Sequence, residues 1–327
     1  MTAACVVTGA GGFMGYHLAN ALAAEGGSVA GIDLHFPDTR GPAGPPRFTP
    51  ITGDFRHTDT MKRALEGATV LFHLAGAHLQ VSLPESEYWD VNVHSLPKLL
   101  DVARQVGVSR CVHTSSVGVF GDVGTTPATE ETPPRPQSVY GETKLAGEKA
   151  AIDYGREHHF DVVALRPAWV YGPGCPRTAK LCRALRRRKF VMIGTGHNLR
   201  HPVYIDDMIE AFRLAAVRPD AAGKTFIIAG DRPVTTRELV DAFCAAFGFP
   251  RPAVNVPYAI AAMLATAIES ACGLIGREPP ISRRSLEFFD TNNAFEISRA
   301  REGLGFVPRY PLLQGLSAMR GWVAAAG

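Results

Sequence analysis

The first thirty-three residues restrict the fold more than any other stretch. Cys5-Val6-Val7-Thr8 is a short β-prone run, and Gly9-Ala10-Gly11-Gly12-Phe13-Met14-Gly15 follows it directly. Gly9, Gly12 and Gly15 recur at a three-residue spacing and lead into Tyr16–Leu22, which reads as a helix. A strand feeding a helix through such a turn aims backbone N–H groups and the positive end of the helix dipole at a pyrophosphate. Glycines suit the turn because side chains would hold the phosphates away. A second β-prone run, Ser28-Val29-Ala30-Gly31-Ile32-Asp33, ends in an acid. A carboxylate about 20 residues beyond the glycines can accept hydrogen bonds from an adenosine ribose and repels a 2′-phosphate. Asp33 therefore predicts NAD over NADP, a preference that Arg40 and Arg47 in the following loop could soften.

Further β-prone runs cover 48–54, 70–76 and 111–116, with helix-forming stretches at 58–66 and 96–106 between them. Strands alternating with helices predict an α/β chain of the Rossmann type. Its doubly wound parallel sheet would bind ligand at the carboxyl ends of the strands. Asp54, Ala75, Gly76 and Ser116 fall at such ends, and Asp54 could bond an adenine amino group. With 327 residues and 46% hydrophobic content, the chain has room for one large and one small lobe. The NAD-binding domain is expected over 1–168 with a return at about 200–222. A smaller carboxyl-terminal substrate lobe is expected over 169–199 and 223–327. The Pro/Gly-rich stretches at 37–46 and 127–136 read as loops within the first domain.

The chemistry centres on Tyr140-Gly141-Glu142-Thr143-Lys144. Ser138 is a helix N-cap candidate after a proline-rich approach, so Tyr140 and Lys144 stand one turn apart on one helical face. A phenol with a reference pKa near 10 needs about 3–4 kcal/mol of help to act as a base at neutral pH. An adjacent ammonium and a cationic nicotinamide can supply it. The Ser116 hydroxyl can then hold a substrate oxygen while Tyr140 takes the proton.

These residues together resemble an extended short-chain dehydrogenase/reductase of the NAD-dependent epimerase/dehydratase family. The resemblance runs from Thr8–Gly15 through His73–Gly76, Asn92-Val93, Ser115-Ser116 and Tyr140–Lys144 to Leu165–Gly174, His201–Asp207 and Thr235–Leu239. It implies Tyr140, Lys144 and Ser116 as catalytic residues. It implies cofactor contacts from Gly9, Gly12, Phe13, Met14, Gly15, Asp33, Asp54, Phe55, Leu74, Ala75, Gly76 and Pro167, besides Tyr140 and Lys144. Substrate contacts are expected from Ser115, Ser116, His78, Trp169 and Arg200. A homodimer built from helices near 95–106 and 140–158 is also implied.

Related dehydratases carry an Asp-Glu pair, and related decarboxylases a Glu, where this chain has Val117 and Gly118. Neither residue can protonate a leaving hydroxyl, which argues against 4,6-dehydration. The leading expectation is an NAD-dependent epimerase or oxidoreductase acting on a nucleoside-diphosphate sugar, with Arg200 on the diphosphate. Trp169 replaces the asparagine of many UDP-sugar epimerases. The largely apolar segment Ala259–Ile275, too short and interrupted to span a bilayer comfortably, is similar to one in the 3β-hydroxysteroid dehydrogenase branch. Oxidation of an apolar alcohol is therefore the alternative, and a non-catalytic NAD(P) sensor is the alternative of another class. Arg283-Arg284 could meet a phosphate.

The net charge of +3 is mild, and the basic run Arg183–Lys189 lacks interleaved aromatics, so no nucleic acid is expected. Six cysteines without a C-x-x-C pair, and a first strand with no room ahead of it for a signal sequence, point to a cytoplasmic protein. Eleven histidines without ligand spacing point to no metal.

Overall fold

Seven short strands lie side by side in one all-parallel sheet. In chain order the first six are β1 (Cys5–Thr8), β2 (Val29–Asp33), β3 (Phe48–Thr52), β4 (Val70–His73), β5 (Arg110–Thr114) and β6 (Asp161–Pro167). The seventh is Thr225–Ile228. Across the sheet they run Thr225–Ile228, β6, β5, β4, β1, β2, β3. This computed structural model describes residues 4–36, 48–78, 83–274 and 283–325. Arg40 and Arg47, and the side chains of Arg283 and Arg284, lie outside the described residues.

Burial follows sheet position. Every residue of β1, β4 and β5 is buried, as expected of strands covered by helices on both faces. β3 has exposed positions and carries Pro50, which an edge strand tolerates because its missing N–H breaks no ladder on the open side. From β1 the chain passes to β2 on one side, while β4 lies on the other. Between the carboxyl ends of β1 and β4 the strand order reverses, which opens a crevice there.

Three short two-stranded ladders build the smaller lobe: Trp169–Tyr171 with Pro202–Tyr204, Leu199–Arg200 with Val234–Thr235, and Met192–Ile193 with Asn255–Val256. One boundary needs correction. The return to the first domain does not stop near 222. Helix Ile205–Val217 packs on helix Phe13–Ala24, and Thr225–Ile228 then pairs with β6 as the seventh sheet strand. Phe226, Ile227 and Ile228 are fully buried, so the sheet's outermost strand draws its apolar residues from beyond the expected boundary.

The apolar segment forms helix Tyr258–Leu274. Ala261 and Ala265 bury against Leu286, whereas Ile260, Met263 and Leu264 remain exposed. Among the described residues no helix is long and apolar enough to cross a membrane.

Candidate active site

The glycine turn is tightly packed on both sides. Gly9 has φ +72°, and a Cβ there would lie 2.7 Å from the Ala75 nitrogen in the loop after β4. A Cβ on Gly15 would lie 2.1 Å from the Gly9 carbonyl oxygen. The helix that follows, Phe13–Ala24, starts at Gly12 with no side-chain cap and no acid in its first turn, so its leading N–H groups face outward. That arrangement fits a pyrophosphate: a narrow glycine bed, uncapped donors and a dipole end. The Asp33 carboxylate accepts from Gly11 N–H at 2.7 Å and from His35 N–H at 3.2 Å. Each oxygen keeps further lone-pair capacity for a ribose. Leu74 and Ala75 donate their N–H groups to Thr8, to its carbonyl and its hydroxyl, and Gly76 beside them is exposed. Pro167 is buried and pairs with Ile228 at the end of β6.

Two of the expected cofactor residues are engaged locally. Both oxygens of Asp54 accept from Arg56, whose other nitrogen bonds Glu87 and Asp90. Burial opposes ionisation of Asp54, but the Arg56 bonds outweigh it and hold the carboxyl below its usual range. Phe55 is buried edge-on to His73, with centroids 5.1 Å apart. Phe13 and Met14 are half-buried, and Phe13 packs towards the Gly172–Gly174 turn.

Helix Val139–His158 carries Tyr140 and Lys144, and Ser138 caps it by accepting the Gly141 N–H at 3.2 Å. Ser116 lies two residues past β5, and its hydroxyl accepts from Gly118 N–H at 3.0 Å and bonds the Tyr140 phenol. Burial raises the Tyr140 pKa. The Ser116 bond and the Arg177 charge pull it down, and Tyr88 pushes it up. The imidazole of His78 stacks on the Tyr140 ring at 5.1 Å. Lys144 is buried, donates a short hydrogen bond to the Thr114 carbonyl, and is pushed down to about 8 by burial, partly offset by Glu148. Tyr140, Lys144, Ser116 and His78 are thus gathered at one end of the sheet.

Two buried histidines lie on the strands leading to this site. His73 and His113 are register partners on β4 and β5 and stack at 5.4 Å. Burial, then the Lys144 charge, lowers His73 to about 3 and holds His113 well below the ordinary range. Thr8 Oγ lies 2.8 Å from His73 Nδ1, whereas neither nitrogen of His113 has a hydrogen-bond partner among the described residues.

The expected substrate residues separate into two groups. Ser115 is buried, and its hydroxyl has no partner among the described residues. A Cβ on Gly118 would sit 3.2 Å from Ser116 Oγ and 3.5 Å from the Tyr140 ring, so a longer residue there would face the chemistry directly; this chain has none. Trp169 and Arg200 lie together in the smaller lobe. The Trp169 ring meets Phe288 edge-on at 6.2 Å, and its indole N–H has no partner among the described residues. Arg200 is buried. Its guanidinium stacks on Phe288 at 4.9 Å, donates to the Phe288 carbonyl, and lies 3.4 Å from the Thr291 hydroxyl. A cavity of about 570 Å³ nearby is lined by Thr195, Asn198, Tyr258, Phe289 and Asn292, but not by Tyr140 or the glycine turn.

Three residues were given no role by the sequence, although Asn92 lies within the family resemblance. Asn92 sits in a π turn, Asp90–His94, and bonds Ala77 N–H at 2.8 Å and Thr143 Oγ at 3.0 Å, tying the loop after β4 to the Tyr140 helix. Glu148 pairs with Arg166 of β6 through two bonds of 2.6 and 2.9 Å, deep in the interior. The Lys144-x-x-x-Glu148 spacing was an available signal for Glu148 but not for its pairing with Arg166. Arg177 follows the Tyr171-Gly172-Pro173-Gly174 turn, and its charge favours the ionised form of Tyr140.

This geometry has counterparts. The sequence pattern of the NAD dependent epimerase/dehydratase family matches residues 5–229. The chain belongs to that family. It is therefore an NAD-dependent enzyme of the extended short-chain dehydrogenase/reductase type, and NAD is its cofactor. A 2-alkyl-3-oxoalkanoate reductase of Stenotrophomonas maltophilia is 29% identical over 98% of this chain and 99% of its own. The mouse sterol-4-alpha-carboxylate 3-dehydrogenase, decarboxylating, is 27% identical over 93% of this chain and 86% of its own. Among solved structures, MoeE5 in complex with UDP-glucuronic acid and NAD superposes with TM-score 0.79 at 27% identity, covering 99% of this chain and all of that one.

Proposed function

We propose that the protein interconverts a secondary alcohol and its ketone on an apolar-bodied substrate. One observation carries the choice of substrate class. The Arg200 guanidinium, the group best suited to a diphosphate, is stacked on Phe288 and bonded to the Phe288 carbonyl. Trp169 continues the same aromatic wall. A nucleotide sugar would have to displace that wall; an apolar body would pack on it.

Bound NAD would supply the hydride acceptor for alcohol oxidation, held by the glycine bed at its phosphates and by Asp33 at its ribose. Ser116 orients the substrate hydroxyl and Tyr140 takes its proton. With a pKa of about 8, Lys144 keeps its proton at neutral pH, so a positive charge is held one helical turn from Tyr140. Gly118 leaves no acid over the reacting carbon, which fits redox chemistry without loss of water. The two named relatives support a narrower reading. In both, the name places a carboxylate on the carbon next to the oxygen-bearing one. We take a 3-hydroxy or 3-oxo carboxylate with an apolar chain as the substrate class.

The MoeE5 complex favours a second reading, a nucleotide-sugar epimerase or oxidoreductase. NADH formation from racemic 3-hydroxydecanoate, set against NADH formation from UDP-glucose or its conversion to an epimer, separates the two, with Tyr140→Phe as control. The proposal predicts turnover with the hydroxy acid alone, reduced by about 10²-fold or more in the variant while NAD binding persists. Turnover of the sugar alone would reverse the assignment.

A further inference from the structure

Glu148 stands one helical turn beyond Lys144 and two beyond Tyr140 on helix Val139–His158. At a rise of about 1.5 Å per residue it lies roughly 12 Å along the axis from Tyr140, so it reaches the chemistry only through other groups. It is nevertheless buried and tied to the sheet. Arg166 of β6 donates to its two oxygens through Nε at 2.9 Å and Nη2 at 2.6 Å, and the Thr225 hydroxyl lies 3.4 Å from one of them. Lys144 is anchored to the neighbouring strand, through the Thr114 carbonyl. Thr114 and Leu165 are register partners, and Ser115 N–H donates to the Leu165 carbonyl at 2.7 Å. One face of the helix thus grips β5 and β6 where both strands end and the site begins.

The ring face of Arg166 extends this grip to Ser116. Its guanidinium lies over Phe120, 4.9 Å from the ring centroid. Phe120 closes the turn that opens at Ser116: its N–H donates to the Val117 carbonyl at 3.0 Å, and Gly118 N–H donates to Ser116 Oγ at 3.0 Å. The same turn rests on the start of the helix, where a Cβ on Gly141 would lie 2.5 Å from the Gly118 carbonyl oxygen. The Ser116 turn is therefore held at two points, by the helix itself and by a guanidinium fixed to that helix two turns further on. A buried ion pair is a poor device for stability, because desolvation of both charges offsets most of their attraction. Here Arg166 Nη1 is also buried with no partner among the described residues, which adds to the cost. A planar cation holding a carboxylate on its edge and a ring on its face fixes two elements at one angle, which an aliphatic filler does not.

We propose that Glu148 and Arg166 are positioning residues for the alcohol–ketone step, locking the Ser116–Phe120 turn to the helix of Tyr140 and Lys144 and so setting Ser116 Oγ against the Tyr140 phenol. Neither residue touches the reacting atoms. The assignment rests on the roles given above to Ser116 and Tyr140 and holds for either substrate class.

The test compares wild type, Glu148→Met, Arg166→Met and the double variant, each loaded with NAD. Either single change strands one buried charge and should lower the melting temperature, whereas the double change removes both charges and should recover most of it. Rate at saturating substrate is read on whichever of 3-hydroxydecanoate and UDP-glucose wild type turns over, as NADH or epimer formed. The double variant should keep its NAD affinity and KM yet run about tenfold to a hundredfold slower, as expected of a hydroxyl held slightly out of place. A double variant that recovers rate together with stability would overturn the proposal, since the pair would then be structural only. Phe120→Leu leaves the ion pair intact and covers the case of a double variant that does not fold. It should slow turnover several-fold at unchanged KM, and a wild-type rate would count against the clamp. Amide hydrogen exchange needs no substrate: Gly118 and Phe120 should exchange about tenfold faster or more in the double variant, or in Phe120→Leu, while β4 and β5 stay protected. Unchanged protection at those two amides refutes the clamp. If neither alcohol is turned over, the alcohol reading fails, and the exchange rates still decide whether the pair holds the Ser116 turn.

Discussion

The Arg200 guanidinium lies 4.9 Å from the centre of the Phe288 ring and donates to the carbonyl of that same residue. One arginine thereby fastens helix Arg283–Asp290 to the ladder Leu199–Arg200 through both a ring face and a backbone oxygen. Its role in this structure is to hold two elements of the smaller lobe together.

Arg200→Met should therefore act on stability. Losing a charge-assisted bond and the ring contact, and leaving the Phe288 carbonyl without that donor, should cost about 2–3 kcal/mol. Urea unfolding would show this as a lower midpoint with an unchanged slope. A variant of native stability that had lost affinity for UDP would instead make Arg200 a ligand anchor.

Gly15→Ala should impair the cofactor site, because the added methyl would stand 2.1 Å from the Gly9 carbonyl oxygen, a backbone atom with little room to move. NAD affinity should fall at least about tenfold as the turn shifts from its phosphate-binding shape. Isothermal titration with NAD measures it. Native affinity would mean that the turn accommodates the methyl.

Lys144 predicts an alkaline gain in stability. Its folded pKa of about 8 lies below its unfolded value near 10.4, so between those limits the unfolded chain binds more protons and stability rises with pH. Relative to Lys144→Met, wild type should gain on the order of 3 kcal/mol from pH 8 to 10.5, most of it above pH 9. A pH-independent difference in unfolding free energy would show that Lys144 is not held down by burial.

His73 and His113 predict the acid side. Both are held neutral by burial, so their contribution is present above about pH 6.5 and is lost as pH falls towards 3. Replacing His113 with leucine breaks no hydrogen bond and removes one of the two protonation sites. Below pH 6 the slope of stability against pH should drop by about 1.4 kcal/mol per pH unit. An unchanged slope would mean that His113 already carries its proton in the folded state.

The sheet was legible because its signals are local. Alternating β-prone and helix-forming runs, the glycine spacing from Gly9 to Gly15, Asp33 at a strand end, and Ser138 ahead of Tyr140 are each read within a few residues. Strand Thr225–Ile228 was placed in the wrong lobe because sheet membership is decided by pairing with β6, about sixty residues earlier. The same limit applies to Arg200. A cationic side chain ahead of His201-Pro202 looks like an anion anchor until Phe288, eighty-eight residues later, folds over it. Asn92 falls within the family resemblance, but its role comes only from Ala77 and Thr143 on other elements.

The most direct test of the substrate assignment is the melting temperature of the NAD-loaded protein with UDP and, separately, with 3-hydroxydecanoate. A ligand that binds the native state must raise it by mass action. The proposal predicts a rise with the hydroxy acid and none with UDP. A rise of several degrees with UDP and none with the hydroxy acid would contradict it, and would mean that the Phe288 wall opens to a nucleotide.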